Sequence, residues 1–233
     1  MKNWLIFLLC VTCAACVDSD TTIRKKAEQA YAKKDYATAL TLYVKLAKRG
    51  DVTAQVQVGV LHDMGWGTEK NQKEASAWYK KAAEQGNPTA MNNLAGLLSK
   101  GAEGVPQDMP EAIRWYEKCN ERSACFATLG YIYVMGGGGV QVNYAEAARL
   151  FTLGANREIR IPGNIIEIED KARSQMGLAY LHEERRGVQQ DCKVVQRLLI
   201  LASSSTSTTM SDLAKRRLNE TSRPCGGING AQR

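Results

Sequence analysis

The residues that could do chemistry in this chain are few. There are two histidines, His62 and His182. His182-Glu183-Glu184 begins like a zinc-binding helix in which two histidines four apart flank a glutamate base, but Arg186 stands where the second histidine would be. No Gly-x-Ser-x-Gly elbow is present to expose a serine nucleophile. The glycine run Gly136 to Gly139 is not followed by the Lys-Ser/Thr pair of a phosphate-cradling loop. Cys119 and Cys125 lack partners at Cys-x-x-Cys or His-x-x-x-His spacing, which disfavours zinc. The chain is therefore expected to have no catalytic residues, no metal site and no cofactor.

Covalent chemistry concentrates at the amino terminus and in the cysteines. Lys2, the apolar run Trp4 to Val11 and the small residues up to Ala15 read as an export signal, 1–15, too short to span a membrane as a mature helix. Cys13-Ala14-Ala15-Cys16 resembles a bacterial lipobox, with Cys13 where leucine is preferred; cleavage before Cys16 would leave that cysteine to carry a diacylglycerol. Cleavage after Ala15 without a lipid stays open on the motif alone. The cysteine count favours the lipid: removing Cys10 and Cys13 leaves Cys16, Cys119, Cys125, Cys192 and Cys225, an odd number for an exported chain.

The elements that would position these groups are set by an internal repeat. Gly59, Ala95 and Gly130 fall 36 and 35 apart, and Tyr43, Tyr79 and Tyr116 fall 36 and 37 apart. A period of this length marks stacked supersecondary units. Ala75, Trp78, Tyr79, Ala82 and Ala83 form the stripe of a half-buried helix, and glycine turns follow at Gly65 to Gly67, Gly101 to Val105, Gly136 to Val140 and Gly187-Val188. Each unit is thus an antiparallel helical hairpin that buries its apolar face by stacking on the next. Pattern elements such as the turn Gly-x-Gly and Ala-x-x-Trp-Tyr-x-Lys-Ala-Ala-x-x-Gly at Ala75 to Gly86 resemble the Sel1-like repeat, a relative of the tetratricopeptide repeat. That resemblance implies an all-α, right-handed α-solenoid. Units are expected at 21–51, 52–87, 88–122, 123–157 and 171–204, after a lipidated tether at 16–20, with a capping helix and pinned tail over 205–233.

Two pairings follow for the four remaining cysteines. Cys119 ends one helix and Cys125 opens the next, which suits a staple of the kind found in cysteine-rich Sel1-like proteins. Cys192 with Cys225 would pin the carboxyl-terminal tail to the last repeat. The segment 158–170, with alternating Ile159, Ile161, Ile166 and Ile168 around Pro162-Gly163-Asn164, interrupts the period and is expected as a small hairpin or extended loop. Ser203 to Ser211 reads as a flexible connection, with a short amphipathic helix from Asp212 to Glu220.

The formal charge of +7 would admit nucleic acid or anionic lipid, but lysines and arginines occur among acids in every repeat, and no nucleic-acid partner is expected. What remains is a protein-binding surface on the first helix of each unit, for which the register selects Val56, Val60, Asp63, Asn92, Lys100, Tyr131, Met135, Ser174 and His182, together with Ile161 and Ile166 of the insertion. The resemblance implies a non-catalytic lipoprotein at the periplasmic leaflet of a bacterial outer membrane. Exported Sel1-like proteins include immunity proteins that neutralise phospholipase effectors of type VI secretion, so a secreted lipolytic toxin is the expected partner. A general envelope adaptor and a Sel1-like hydrolase or penicillin-binding protein are the alternatives.

Overall fold

The computed structural model describes residues 19–119, 123–159, 164–205 and 208–221. Eleven α-helices lie among the described residues, and no β-strand is formed by them. They pair as hairpins: α1 (Asp20–Ala32) with α2 (Tyr36–Lys48), α3 (Val52–Met64) with α4 (Gln72–Glu84), α5 (Pro88–Lys100) with α6 (Met109–Lys118), α7 (Ser123–Met135) with α8 (Tyr144–Asn156), and α9 (Ile165–Glu183) with α10 (Cys192–Ser203); α11 (Thr208–Thr221) follows. The fold is the all-α, solenoid class of stacked helical hairpins expected from the repeat. The chain divides into two compact units, one holding α1 to α4 with the strap 102–105, the other running from Met91 onward without that strap.

Each second helix starts on a side-chain cap at the same repeat position. Asp35, Asn71, Asp108, Asn143 and Asp191 accept hydrogen bonds from backbone N–H groups of the first turn. Such a cap contributes about 1 kcal/mol by satisfying an orphan donor. The cap's own N–H donates back to the first helix in four hairpins, from Asp35 to the Ala30 carbonyl (2.9 Å), from Asn71 to His62 (2.8 Å), from Asp108 to Leu98 (2.9 Å) and from Asn143 to Tyr133 (2.9 Å). These bonds close each hairpin turn on itself.

Glycine is required where one hairpin's turn meets its neighbour. A Cβ at Gly67 would lie 2.4 Å from the backbone of Tyr36 and Ala37, and one at Gly187 would lie 2.6 Å from Tyr144, with φ near +70° at both. The turn of one hairpin therefore rests directly on the first turn of the preceding second helix, and only a residue without a side chain fits.

The core of the first unit is built from the α1 stripe Ile23, Ala27 and Ala30, with Tyr43 and Leu46 of α2, Val58 and Leu61 of α3 and Trp78 of α4. In the second unit the fully buried Phe151 of α8 packs with Ala179 and Leu181 of α9 and with Val195 and Leu199 of α10. Ser174 and Gln175 of α9 are buried as well.

The insertion differs from expectation. Residues 165–170 form the first turns of α9 in place of a hairpin or extended loop, because the Asn164 side chain accepts hydrogen bonds from the Ile166 and Glu167 N–H groups and nucleates a helix. Glu169 pairs with Arg173 one turn on, and Lys171 Nζ donates to the Arg157 carbonyl (2.9 Å), holding the incoming chain. Helix periodicity thus overrides the local isoleucine alternation. At the other end, α11 begins at Thr208, and Ser211 Oγ donates to the Ser203 carbonyl (2.7 Å); this part of the serine-rich stretch is ordered into helix.

Candidate functional site

Tyr131 and Met135 stand one turn apart on α7 and form the exposed aromatic and thioether pair of the second unit, at 40% and 77% exposure. Helix α7 packs against α9, and α9 against α11. Behind Tyr131 the ring of Phe151 meets it edge to face, with centroids 5.0 Å apart. The Tyr131 hydroxyl donates to the Arg173 carbonyl of α9 at 3.5 Å. Burial of the phenol pushes its pKa up, partly offset by the positive charges of Arg173 and Arg217. Tyr131 is thus held by two contacts and keeps its proton near neutral pH. Arg173 pairs with Glu169 (3.0 Å) and Arg217 of α11 with Glu183 of α9 (3.3 Å), so charged pairs border the aromatic.

The other expected partner-binding residues divide by burial. Val56 and Ser174 cannot be reached by a partner and are core residues, a correction to the register argument. Helix α3 packs on α2 as well as α4, leaving Val56 6% exposed. Ser174 is fully buried, its Oγ donating to the Asp170 carbonyl, at a close approach of α8 and α9 where a Cβ on Gly154 would come 2.1 Å from that oxygen. Val60 is half-buried, and the Asp63 carboxylate accepts a hydrogen bond from Gln72 Nε2 (2.9 Å) within its own hairpin. Asn92 Oδ1 lies 3.7 Å from Cys125 Sγ, a contact only, since a disulfide sulfur has no proton to donate. Lys100 is exposed at the end of α5, and Ile166 is 59% exposed at the start of α9. Ile161 lies outside the described residues.

His182 is half-buried, and its Nδ1 lies 2.8 Å from the Gln189 carbonyl, which can only accept, so Nδ1 carries the proton of that hydrogen bond. Its neighbours close the same turn, Gln190 Nε2 donating to the Glu183 carbonyl and Arg185 Nε to Gln190 Oε1. His62 packs into its hairpin, its Nδ1 buried without a hydrogen-bond partner. Among the described residues no group of three or more His, Cys, Asp or Glu is placed to hold a metal ion. Nor is any described helix long and apolar enough to cross a membrane.

Cys119 and Cys125 form a disulfide with Cα atoms 6.0 Å apart, both side chains buried, joining the end of α6 to the start of α7. Cys192 is also disulfide-bonded; Cys225, its expected partner, lies outside the described residues, as does Cys16.

Sequence reasoning missed Ile165, as exposed as Ile166, and Leu213 and Arg217 on α11. The signal for the last two was their four-residue spacing, one turn on the helix expected to be a polar cap.

Counted by hairpin, the charge is uneven. Residues 19–50 carry eight Lys and Arg against three Asp and Glu, residues 51–170 carry eleven against fifteen, and residues 171–233 carry eleven against five. The first hairpin is a basic region followed by an acidic stretch.

Comparison with known proteins bears on the whole of this arrangement. A model of the Sel1 repeat matches residues 28–51, 52–87, 88–118, 128–158 and 172–194, together more than half of the chain. Over 100 residues the chain is 35% identical to Protein sel-1 homolog 2 of Rattus norvegicus, a stretch covering 42% of this chain and 14% of that protein. Over 76 residues it is 36% identical to an ERAD-associated E3 ubiquitin-protein ligase component, HRD3B, of Arabidopsis thaliana, covering 33% of this chain and 12% of that one. The matched stretches are a small part of these curated relatives. Among solved structures, a Sel1 repeat protein from Oxalobacter formigenes superposes with a TM-score of 0.70 at 25% identity, covering 88% of this chain and 87% of that one. The protective antigen c5321 of uropathogenic Escherichia coli superposes with a TM-score of 0.57 at 19% identity over 87% of this chain and 48% of its own, a likeness of fold.

Proposed function

The chain belongs to the Sel1 repeat family, and from that premise we propose that it is a non-catalytic protein-binding module of the bacterial cell envelope, anchored through a diacylated Cys16 to the inner leaflet of the outer membrane. Sel1 repeats suggest protein partners. The observation that carries the reading is the Tyr131–Met135 pair, an exposed aromatic held from behind by Phe151 with a flexible thioether beside it. Tyrosine on a rigid support is a frequent binding anchor, and methionine adapts to an irregular partner surface.

In its finer form the proposal is stoichiometric capture. The protein occludes the active site or membrane-binding face of a secreted lipolytic toxin, as an immunity protein against a phospholipase effector of type VI secretion. The lipobox-like Cys13 to Cys16 supports placement at the membrane such a toxin attacks. Capture must be tight, because free enzyme turns over lipid repeatedly; nanomolar affinity corresponds to about −12 kcal/mol.

Co-expression with a candidate lipase in the periplasm tests it. Protection by the wild type, weakened in Tyr131→Ala/Met135→Ala at unchanged helicity, is the expected result. Equal lysis with and without the protein, together with no complex on size-exclusion chromatography, would remove the immunity role. Separately, Cys16→Ser should release the protein from the membrane fraction; a wild type already soluble with a free thiol at residue 16 would overturn the anchor.

A further inference from the structure

The end of the first hairpin nearest Ser19 gathers positive charge from two helices. Arg24 and Lys25 lie just past the first turn of α1, and the antiparallel α2 brings Lys45, Lys48 and Arg49 to the same end. Ion pairs from Arg49 to Asp20 and from Arg24 to Asp51 fix the two chain ends side by side. Lys25, Lys45, Lys48 and Arg49 are exposed, and Lys45, Lys48 and Arg49 follow the three- and four-residue spacing of one helix face. The helix dipole favours cations in the last turn of α2, but it gives no such support to Arg24 and Lys25 near the positive end of α1.

From this placement we propose that the basic end of the α1–α2 hairpin is a membrane-contact surface for anionic phospholipid headgroups. The inference rests on the lipid anchor at Cys16 for its geometry. Cys16 precedes Ser19 by three residues, which span at most about 11 Å of extended chain. A surface potential decays over about 8 Å at physiological ionic strength. A lipid on Cys16 therefore confines this end of the hairpin to the zone where a negative leaflet is felt, while the acidic stretch that follows is kept from it by its own charge. Basic residues beside a lipid anchor add to its hold on an anionic membrane. Each basic side chain near such a surface is worth about fivefold in partitioning.

Vesicle co-sedimentation of the unlipidated mature chain, residues 16–233 with Cys16→Ser, tests this apart from the anchor. Vesicles of phosphatidylcholine with about one third phosphatidylglycerol, a composition whose charge should hold several basic groups, are compared with vesicles of phosphatidylcholine only. Binding to the anionic vesicles alone, weakening as salt is raised, is expected. Lys25→Glu/Lys45→Glu/Lys48→Glu should lower the bound-to-free ratio by about a hundredfold, whereas Lys70→Glu/Lys80→Glu/Lys100→Glu, which changes net charge equally, should retain most of it. Equal losses in the two variants would show a response to net charge only and overturn the surface, as would no binding to anionic vesicles at low salt. Full displacement by millimolar inorganic phosphate would identify a site for free anions instead of a membrane and would also overturn it. Circular dichroism of both variants guards against misfolding. Loss of vesicle binding with toxin protection intact would leave the immunity reading standing, and the converse would leave this surface standing.

Discussion

Hairpins α3–α4 and α7–α8 meet the same packing requirement in different ways. In α3–α4 the buried ring of Tyr79 lies along Gly59, where a Cβ would come 2.5 Å from the ring. In α7–α8 the ring is Phe151, and it faces two glycines, Gly130 of its own hairpin at 2.6 Å and Gly177 of α9 at 2.5 Å. Tyrosine carries a hydroxyl that needs a polar neighbour, whereas phenylalanine can be enclosed in apolar surroundings on both faces. The repeat thus requires a ring against a glycine, and where the Trp-Tyr pair becomes Leu150-Phe151 the ring joins two successive hairpins instead of closing one.

The largest test removes the rings. Phe151→Ala should cost about 4 kcal/mol and Tyr79→Ala about 3, since the glycines around Phe151 have no side chains with which to fill the cavity. Urea unfolding measures both, and a greater loss at Tyr79 would break the comparison. Adding a methyl group sharpens it. Gly177→Ala should cost about 2 kcal/mol net because Gly130 blocks the retreat of Phe151, while Gly59→Ala should cost about 1, the ring shift being offset in part by the helix preference of alanine.

The disulfide belongs to the second unit, at a junction where the repeat's closing glycine is missing. Replacing Cys119 and Cys125 by serine should cost about 2 kcal/mol, the entropy of a short closed loop. Hydrogen exchange should quicken in α6 and α7 and stay unchanged in α1 and α2. Uniform quickening would show that the effect is not local.

The smallest effect concerns a glutamate three residues after the cap, at the same position of α4, α6 and α8. In α4, Glu74 accepts a hydrogen bond from Trp78 Nε1 at 2.8 Å. In α8, Leu150 replaces the tryptophan and Glu146 pairs with Arg149 instead. The Arg149 hydrogen bonds hold the Glu146 carboxyl below its ordinary value of 4.5. A carboxyl lowered in the folded state adds stability that is full above its unfolded value and is lost as pH falls through its folded one. Arg149→Ala should raise the Glu146 midpoint toward 4.5 by NMR titration, and change stability at neutral pH by less than about 0.5 kcal/mol, as exposed pairs do.

The helical class was legible because small and aromatic residues recur at a period that packing imposes. Cys119 and Cys125 were legible as a pair because they bracket a turn between helices. The isoleucines of 165–168 misled, since their alternation fits a strand while the Asn164 cap that starts a helix is a single side chain. Of the residues that the register selected for a partner-binding surface, Tyr131 and Met135 are exposed, whereas Val56 and Ser174 are buried. The register says which way a side chain points from its own partner helix, whereas neighbouring helices decide whether that direction stays open. The second glycine of the turn at Gly67 was read as a conformational device; its contact with Tyr36 and Ala37 in the preceding hairpin depends on tertiary approach.

The hairpin-by-hairpin contacts also govern how the chain finds its structure. Phe151 meets a glycine 26 residues downstream, and the hydrogen bonds linking Arg186 to Tyr144 and Tyr131 to Arg173 each span 42 residues. Contacts so close in sequence need little loop closure before they form, which favours rapid acquisition of structure in successive segments. A chain leaving the ribosome can complete α1 to α4 while later repeats are still being synthesised, and a misfolding error in one repeat has few distant strands or helices to recruit.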